Sequence, residues 1–351
     1  MENVDLVITK MSIKEKIAQL FITNPEALIN GEEPVREVSV RLREAFSTTP
    51  IGGLLYFSKN LSSPRQTKRL LDDTQVFSAT KTGLPLFQCI DEEGGWVARI
   101  ANSSSFCVKN IGPAAEFGKT GDEKLVREKG GYVGRYLADL GFNVDFAPCA
   151  DVLSNSRNTV IGTRAYGSDP HIVANMALAF AQGLSQSGII PVFKHFPGHG
   201  DTEGDSHLGY AFSNKTMDDI LQCEMVPFVK GIEEKIPMIM VGHISLPNVT
   251  KNEEPASLSR QIITDLLRNR LGYDGVIITD SFMMKAISNI YSSEEAAVRV
   301  LEAGADIILR PMDFFEAYNG VVHAVNSGRI AEKRIDESLR RVLLVKEMII
   351  K

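Results

Sequence analysis

The chain has 351 residues, of which 44% are hydrophobic and 23% are charged, an ordinary composition for a globular protein. Its formal net charge of −6 argues against nucleic-acid binding, which needs a basic surface. No stretch of about 20 apolar residues occurs, so the sequence predicts no membrane span. The first residues lack the basic start and apolar core of a signal peptide. We expect a cytoplasmic protein, and leave open the export of a longer precursor.

Eight short apolar runs follow one another along the chain, and each is followed by polar or glycine-rich residues. Runs this short and this apolar are typical of strands that are buried on both faces of a parallel sheet. They cover residues 17–22, 52–57, 86–90, 144–147, 190–193, 238–241, 276–279 and 306–309. Helical patterns separate them at 65–79, 125–140, 172–186, 216–231, 260–271 and 292–303, and a last one covers 330–351.

Strands that alternate with helices in this number are typical of a (β/α)₈ barrel. The alternative is an open doubly wound sheet, which normally has about five or six strands and a glycine-rich phosphate turn. The sequence contains no such turn. We also find no linker or repeat. The sequence therefore predicts a TIM-type (β/α)₈ barrel, with irregularity allowed, in a single domain covering residues 1–351.

The segment Lys194-His-Phe-Pro-Gly-His-Gly-Asp-Thr-Glu-Gly-Asp-Ser-His207 directly follows the fifth apolar run. It combines one lysine, three histidines and three acids within fourteen residues. Such a mixture is typical of a chemical site, because cations can hold a polar ligand and an imidazole can move a proton near neutral pH. A carboxylate can then orient that imidazole.

Polar side chains also follow other strands of the predicted barrel. Catalytic groups of such barrels come from the carboxyl ends of several strands. We therefore expect one shared mouth for the polar residues after the third to seventh runs. They are Asp91, Arg99, Asp151, Arg164, Lys194, His195, His243 and Asp280.

Asp280 has two interpretations. It could cap a helix that begins at Phe282, because aspartate is a favoured N-cap. It could instead be a fixed carboxylate nucleophile, as a glycosidase needs beneath an anomeric carbon. His207 lies two residues after Asp205, so the carboxylate could orient an imidazole that acts as acid and base. The alternative is that Asp205 and His207 only brace their loop.

The remaining strand-end residues suit the binding of a sugar. Lys194 and His195 can hold hydroxyl groups, and Asp91 can accept hydrogen bonds from two adjacent hydroxyls. Arg99 and Arg164 offer planar grips with several donors. Structural ion pairs at the barrel mouth are the alternative. A zinc site from His195, His199, His207, Asp201 and Asp205 matches no common ligand spacing, so we predict no metal and no cofactor.

The chain resembles glycoside hydrolase family 3, and most closely its single-domain β-N-acetylglucosaminidase branch. The resemblance covers nearly the whole chain, and the loop that ends at Asp205-Ser-His207 is its most specific part. The other matching segments are Met11–Phe21, Asp91–Gly95, Asn143–Pro148, Val160–Gly167 and Lys194–Gly200. Other branches of the family generally take their acid/base residue from a second domain.

The resemblance implies a retaining β-N-acetylglucosaminidase with Asp280 as the nucleophile and the pair Asp205 and His207 as the acid/base. It also implies sugar binding by Asp91, Arg99, Arg164, Lys194 and His195. The implied setting is peptidoglycan recycling, with muropeptides as substrates and no cofactor. We expect a carbohydrate substrate, no nucleic-acid or membrane partner, and a monomer or weak homodimer.

Four residues near the mouth depart from the family pattern. Trp96 replaces a common arginine, Ala98 a common glutamine and Glu92 a frequent glutamine, while Arg310 stands where an apolar residue is usual. These departures affect the expected leaving group more than the reaction.

Several functional alternatives stay open. They are a β-glucosidase or β-xylosidase, an inactive sugar-binding protein and a metal-dependent hydrolase. Phosphorolysis beside hydrolysis is also open, because a neutral imidazole can admit an anionic acceptor that a carboxylate would repel.

Overall fold

A ring of eight short parallel strands forms the centre of the computed structural model, which describes residues 4–202 and 211–350. Each strand pairs in parallel with the next from β1 to β7, and β8 pairs with β1. A parallel bridge between Ile278 and Ile307 closes the ring. The strands are β1 Phe21–Thr23, β2 Gly53–Leu55, β3 Phe87–Ile90, β4 Val144–Asp145, β5 Ile190–Phe196, β6 Met238–Val241, β7 Val276–Thr279 and β8 Ile308–Leu309.

Helices connect successive strands, as the predicted barrel requires. Val4–Lys10 and Ile13–Ala18 precede β1, and Phe314–Asn326 and Glu332–Ile350 follow β8. Between the strands lie, in chain order, Pro25–Leu28, Val40–Thr48, Pro64–Thr82, Ala114–Gly118, Glu123–Leu140, Pro170–Gln186, Met217–Gln222, Val226–Glu233, Pro247–Thr250, the π-helical Gln261–Arg270, Lys285–Ser288 and Ser293–Ala303. In the described part of the chain, single turns of 3₁₀ helix cover Ser58–Asn60, Gly162–Arg164 and Ala256–Leu258.

All residues of the eight strands are buried, which confirms that both faces of the sheet are covered. Burial of a Val, Leu, Ile or Phe side chain contributes about 1.5–3 kcal/mol to folding. The apolar runs found in the sequence therefore both form the strands and hold the ring together. The predicted TIM-type barrel is confirmed.

Most predicted boundaries differ from the observed ones by one to three residues, and two elements differ more. The first strand does not begin at Ile17, because residues 13–18 form a helix whose start is capped by Ser12 and Glu15. The predicted helix 216–231 is two helices. Thr216 caps the first, and Pro227 lies in the first turn of the second, where its missing N–H costs little.

A close helix contact lies beside β4 and β5. Helices Glu123–Leu140 and Pro170–Gln186 pack at glycines, since a Cβ at Gly130 would lie 2.3 Å from the Phe180 carbonyl oxygen. A Cβ at Gly183 would lie 2.2 Å from the Arg127 carbonyl oxygen. The two backbones approach closely because these positions have no side chain.

Among residues 4–202 and 211–350, no helix combines the length and the apolarity that crossing a membrane requires.

Candidate active site

A pocket of about 350 Å³ opens at the carboxyl ends of the barrel strands. Six of the predicted site residues line it, namely Asp91, Arg99, Arg164, Lys194, His195 and Asp280. They come from distant parts of the chain and meet because parallel strands end on one rim. Two further residues expected at the mouth, Asp151 and His243, do not line it. The predicted acid/base pair, Asp205 and His207, lies outside the described residues.

Glu93 joins two cations at the pocket floor. Its carboxylate accepts hydrogen bonds from Arg164 Nη2 at 2.7 Å and Arg164 Nε at 2.9 Å. Lys194 Nζ lies 2.6 Å from Glu93 Oε1 and 3.0 Å from Asp91 Oδ1. Arg99 Nη2 is 3.5 Å from the other oxygen of Asp91. The arginines and the lysine thus form the ion pairs that the sequence left as an alternative.

The charges in this network are fixed by their neighbours. Burial alone would raise the pKa of Glu93, but Arg164 and Lys194 lower it to about 2. Burial acts to lower the pKa of Lys194, and Glu93 and Asp91 raise it above its ordinary value. Both groups are therefore ionised at neutral pH, and a polar ligand meets donors and acceptors that are already oriented.

His195 is held by Asp151, a fully buried carboxylate. The imidazole Nδ1 lies 2.8 Å from Asp151 Oδ2, and the backbone N–H groups of His195 and His199 also donate to this carboxylate. Burial acts to raise the pKa of Asp151, and His195 outweighs that effect and lowers it. An ionised Asp151 only accepts, so Nδ1 carries the hydrogen and Nε2 is directed to Arg164, 3.5 Å away.

Asp280 follows β7 directly and lines the pocket. Its Oδ1 accepts a hydrogen bond of 2.7 Å from the backbone N–H of Ser281. Burial acts to raise the pKa of Asp280, and His195 and His243 outweigh it, so the pKa lies below the ordinary value. The next helix begins at Lys285 with Met284 as its N-cap, so the interpretation of Asp280 as a helix cap is wrong.

His243 is fully buried and lies behind Asp280 rather than in the pocket. Its Nδ1 is 2.7 Å from Ser257 Oγ, and its Nε2 is 3.1 Å from the Ser281 carbonyl oxygen. This histidine therefore positions the segment that carries Asp280.

The sequence analysis assigned no role in the site to three residues that the structure places there, namely Glu93, Asp151 and Arg310. Glu93 could have been found, because the buried cations Arg164 and Lys194 need a countercharge. Asp151 was predicted at a strand end, but its contact with His195 was not predicted. Arg310 lines the pocket with its guanidinium 4.5 Å from the Phe57 ring centre and with Nε 3.3 Å from Asn24 Oδ1. No local pattern in the sequence pairs Arg310 with Phe57.

One group of possible metal ligands occurs among the described residues. Cys149, Asp151 and His195 have donor atoms within 4.8 Å of one another. These atoms already bond to each other, since Cys149 Sγ lies 3.2 Å from Asp151 Oδ2. Burial raises the pKa of the Cys149 thiol well above its ordinary value, which disfavours the thiolate that a metal binds. The absence of a metal stays a prediction.

Known proteins share both sequence and fold with this chain. Residues 12–345 match the family described as glycosyl hydrolase family 3 N terminal domain. Beta-hexosaminidase A of Pseudoalteromonas piscicida is 34% identical over 87% of this chain and 54% of its own length. Beta-hexosaminidase LpqI of Mycobacterium tuberculosis is 38% identical over 96% of this chain and 83% of its own length.

The solved structures agree with the sequence comparison. A glycoside hydrolase family 3 β-N-acetylglucosaminidase from Paenibacillus sp. FPU-7 superposes with a TM-score of 0.91 at 35% identity, over 97% of this chain and 63% of that one. M. tuberculosis LpqI superposes with a TM-score of 0.84 at 33% identity, over 98% and 96% of the two chains. The chain thus spans about half of the P. piscicida protein and less than two thirds of the Paenibacillus chain.

Proposed function

Because the chain belongs to glycosyl hydrolase family 3, we propose that it is a retaining β-N-acetylglucosaminidase that removes terminal β-linked N-acetylglucosamine. The observation that carries the proposal is Asp280, a carboxylate with a lowered pKa on the wall of a polar pocket. The names of the similar β-hexosaminidases support the choice of sugar. Peptidoglycan fragments are the proposed natural source.

The reaction has two steps. Asp280 attacks the anomeric carbon, the bond from that carbon to the leaving oxygen breaks, and His207 donates a proton to this oxygen. A water molecule then attacks the same carbon, the ester to Asp280 breaks, and His207 takes the water proton. Asp205 orients His207. The lowered pKa of Asp280 supports its role, because the nucleophile must be ionised when the sugar binds.

The terminal sugar is held by the pocket floor. Asp91 retains acceptor sites for hydroxyl groups beside its contacts with Lys194 and Arg99. His195 also lines the pocket, and Lys194 has a third hydrogen to donate beside its contacts with Glu93 and Asp91. Arg164 already uses Nε and Nη2 as donors to Glu93. We therefore assign Arg164 to positioning Glu93 and Lys194 and not to binding the sugar with its whole guanidinium group.

Replacement of the nucleophile tests the proposal directly. Asp280→Ala should lower turnover of a chromogenic N-acetyl-β-glucosaminide by about 10⁴-fold or more, because no covalent step remains. Asp274→Ala is the matched control, since Asp274 is an exposed carboxylate at the opposite end of β7. Full activity of Asp280→Ala would contradict the proposal, as would a covalent adduct of a slow fluorinated glycosyl substrate on a peptide without Asp280.

Replacement of His207 tests the acid/base role. His207→Ala should lower the rate by about 10²–10⁴-fold on chitobiose, whose leaving group needs a proton, and by much less on a nitrophenyl glycoside. Equal losses on both substrates would contradict this role.

The remaining alternatives are distinguished with the unmodified protein. Faster turnover of β-glucosides or β-xylosides would favour the other glycosidases, and sugar binding without turnover would favour a binding protein. A chelator should have no effect. N-acetylglucosamine 1-phosphate formed in phosphate buffer would show phosphorolysis.

A further inference from the structure

Among the residues that the structure describes, one exposed aromatic side chain lines the pocket. Trp96 is the only tryptophan of the 351 residues, and it is 60% exposed although it lines the pocket. The floor groups are far more enclosed, with side-chain exposures of 3% for Lys194, 6% for Glu93 and 9% for Arg164. Trp96 is therefore a rim residue above the groups that hold the terminal sugar.

The backbone under Trp96 is held firmly. Strands Glu92–Gly94 and Val97–Ala98 form an antiparallel hairpin, and Gly95 and Trp96 make its two-residue tip. Gly95 adopts a φ of +57°, which a side chain would disfavour. Asn110 binds both the N–H and the carbonyl of Gly95, at 2.9 and 2.6 Å, and Asn102 Nδ2 donates to the Gly95 carbonyl at 3.0 Å.

The indole of Trp96 also contacts a positioned cation. The Arg164 guanidinium carbon lies 5.7 Å from the ring centre of Trp96, and Arg164 is itself held by two hydrogen bonds to Glu93. A cation on one side of the ring leaves the rest of the indole open at the pocket mouth. Among the described residues, only one other exposed apolar side chain lines the pocket, namely Met283, which is 39% exposed and lies three positions after Asp280.

We propose that Trp96 is the platform for the leaving group and makes the enzyme selective for substrates in which that group is itself a pyranose ring. This inference rests on the proposed function. If the floor holds the terminal sugar, the rest of the substrate has to leave through the mouth, past Trp96. A pyranose presents a face of C–H groups that packs on an indole, whereas a methyl group is too small to cover one.

The first experiment compares kcat/KM for chitobiose and for methyl N-acetyl-β-glucosaminide. Trp96→Ala should lower the ratio of chitobiose to methyl glycoside by about tenfold, and Trp96→Tyr should restore most of it, because an aromatic face remains. Phe315→Ala is the control, since it removes an exposed aromatic ring that does not line the pocket, and the ratio should stay unchanged.

The second experiment uses the only tryptophan as a reporter of binding. In Asp280→Ala, titration with chitobiose should shift tryptophan emission to shorter wavelength, and N-acetylglucosamine should shift it less. An unchanged ratio in Trp96→Ala, or binding of chitobiose seen by calorimetry without any change in emission, would overturn the inference alone. Failure of the unmodified protein to cleave either glycoside would overturn the proposed function, and the inference with it.

Discussion

At the scale of single residues, Glu93 has the greatest predicted effect on the pocket outside the reacting groups. Glu93→Gln keeps the shape of the side chain and removes the charge that Arg164 and Lys194 share. Loss of one partner of a buried ion pair costs about 3–5 kcal/mol. We expect a lower free energy of unfolding in urea and a higher KM for N-acetyl-β-glucosaminides, because Lys194 and Arg164 lose their common anchor.

An exposed ion pair provides the control for this substitution. Lys119 Nζ lies 3.0 Å from Glu116, and both side chains are mostly in solvent. Glu116→Gln should therefore change stability by less than about 1 kcal/mol. The effect of Glu93→Gln should also depend on pH. A lowered pKa stabilises the fold above about 4.5, and this contribution is lost as the pH falls toward 2. An unchanged free energy of unfolding in Glu93→Gln would contradict the prediction. So would a difference from the unmodified protein that stays constant as the pH falls from 7 toward 2.

Individual residues of the candidate site could be predicted from the sequence only where they directly follow a predicted strand. Asp91, Lys194 and Asp280 each follow an apolar run, and the pocket brings them together. Glu93 follows the same strand as Asp91. Its partner Arg164 lies in the 3₁₀ turn Gly162–Arg164, and its partner Lys194 lies in β5. A pairing across such distances leaves no periodic signal in the sequence, so it became visible only in the fold.

At the scale of secondary-structure elements, the glycine contact between helices Glu123–Leu140 and Pro170–Gln186 predicts opposite effects of two adjacent substitutions. Gly130→Ala should destabilise the protein by about 1–3 kcal/mol or more, since its Cβ would lie 2.3 Å from the Phe180 carbonyl oxygen. Gly131→Ala should stabilise it by up to about 1 kcal/mol, because alanine favours a helix and its nearest neighbour is the flexible end of Arg135 at 3.3 Å.

Urea unfolding of the two variants measures both effects. The pair lies in one helix and differs by one position, so intrinsic helix propensity is matched. Equal shifts for Gly130→Ala and Gly131→Ala would show that the close approach of the two backbones has no energetic weight.

Most elements could be predicted from hydrophobic patterns and caps. Gly141 ends the predicted helix 125–140 with a φ of 102°, and Thr216 caps the start of the predicted helix 216–231. The short hairpin that carries Trp96 was not predicted, because its two strands contain three and two residues. Segments that short depend on their surroundings more than on their own sequence.

At the scale of the whole molecule, a buried lysine joins the last helix to the barrel. Lys346 Nζ donates to Gln19 Oε1 and to the Pro85 carbonyl oxygen, both at 2.7 Å. It lies 5.0 Å from the centre of the Phe87 ring, and none of the described carboxylates forms an ion pair with it. Burial lowers the pKa of Lys346 from 10.5 to about 7.

The lowered pKa makes the stability of the fold dependent on pH. Between pH 7 and 10.5 the unfolded chain binds this proton and the folded chain does not, so stability rises with pH. Lys346→Met removes this dependence. The measured quantity is the free energy of unfolding of Lys346→Met minus that of the unmodified protein. This difference should increase by about 2 kcal/mol when the pH is lowered from 9 to 7, because the unmodified protein loses stability over that range.

Chemical unfolding at the two pH values checks this prediction. Lys14→Met, at an exposed lysine, should show no such change with pH. A difference between Lys346→Met and the unmodified protein that stays constant from pH 7 to 9 would contradict the prediction.

The wall of the pocket is assembled from residues between 55 and 310 of the chain. A saccharide that fills the pocket therefore contacts segments that are remote in the sequence. Because it binds only the folded barrel, its binding free energy adds to the free energy of unfolding and raises the melting temperature. Occupancy can then be read from the melting temperature alone. A variant without Asp280 should still respond in this way, which separates recognition of the sugar from cleavage.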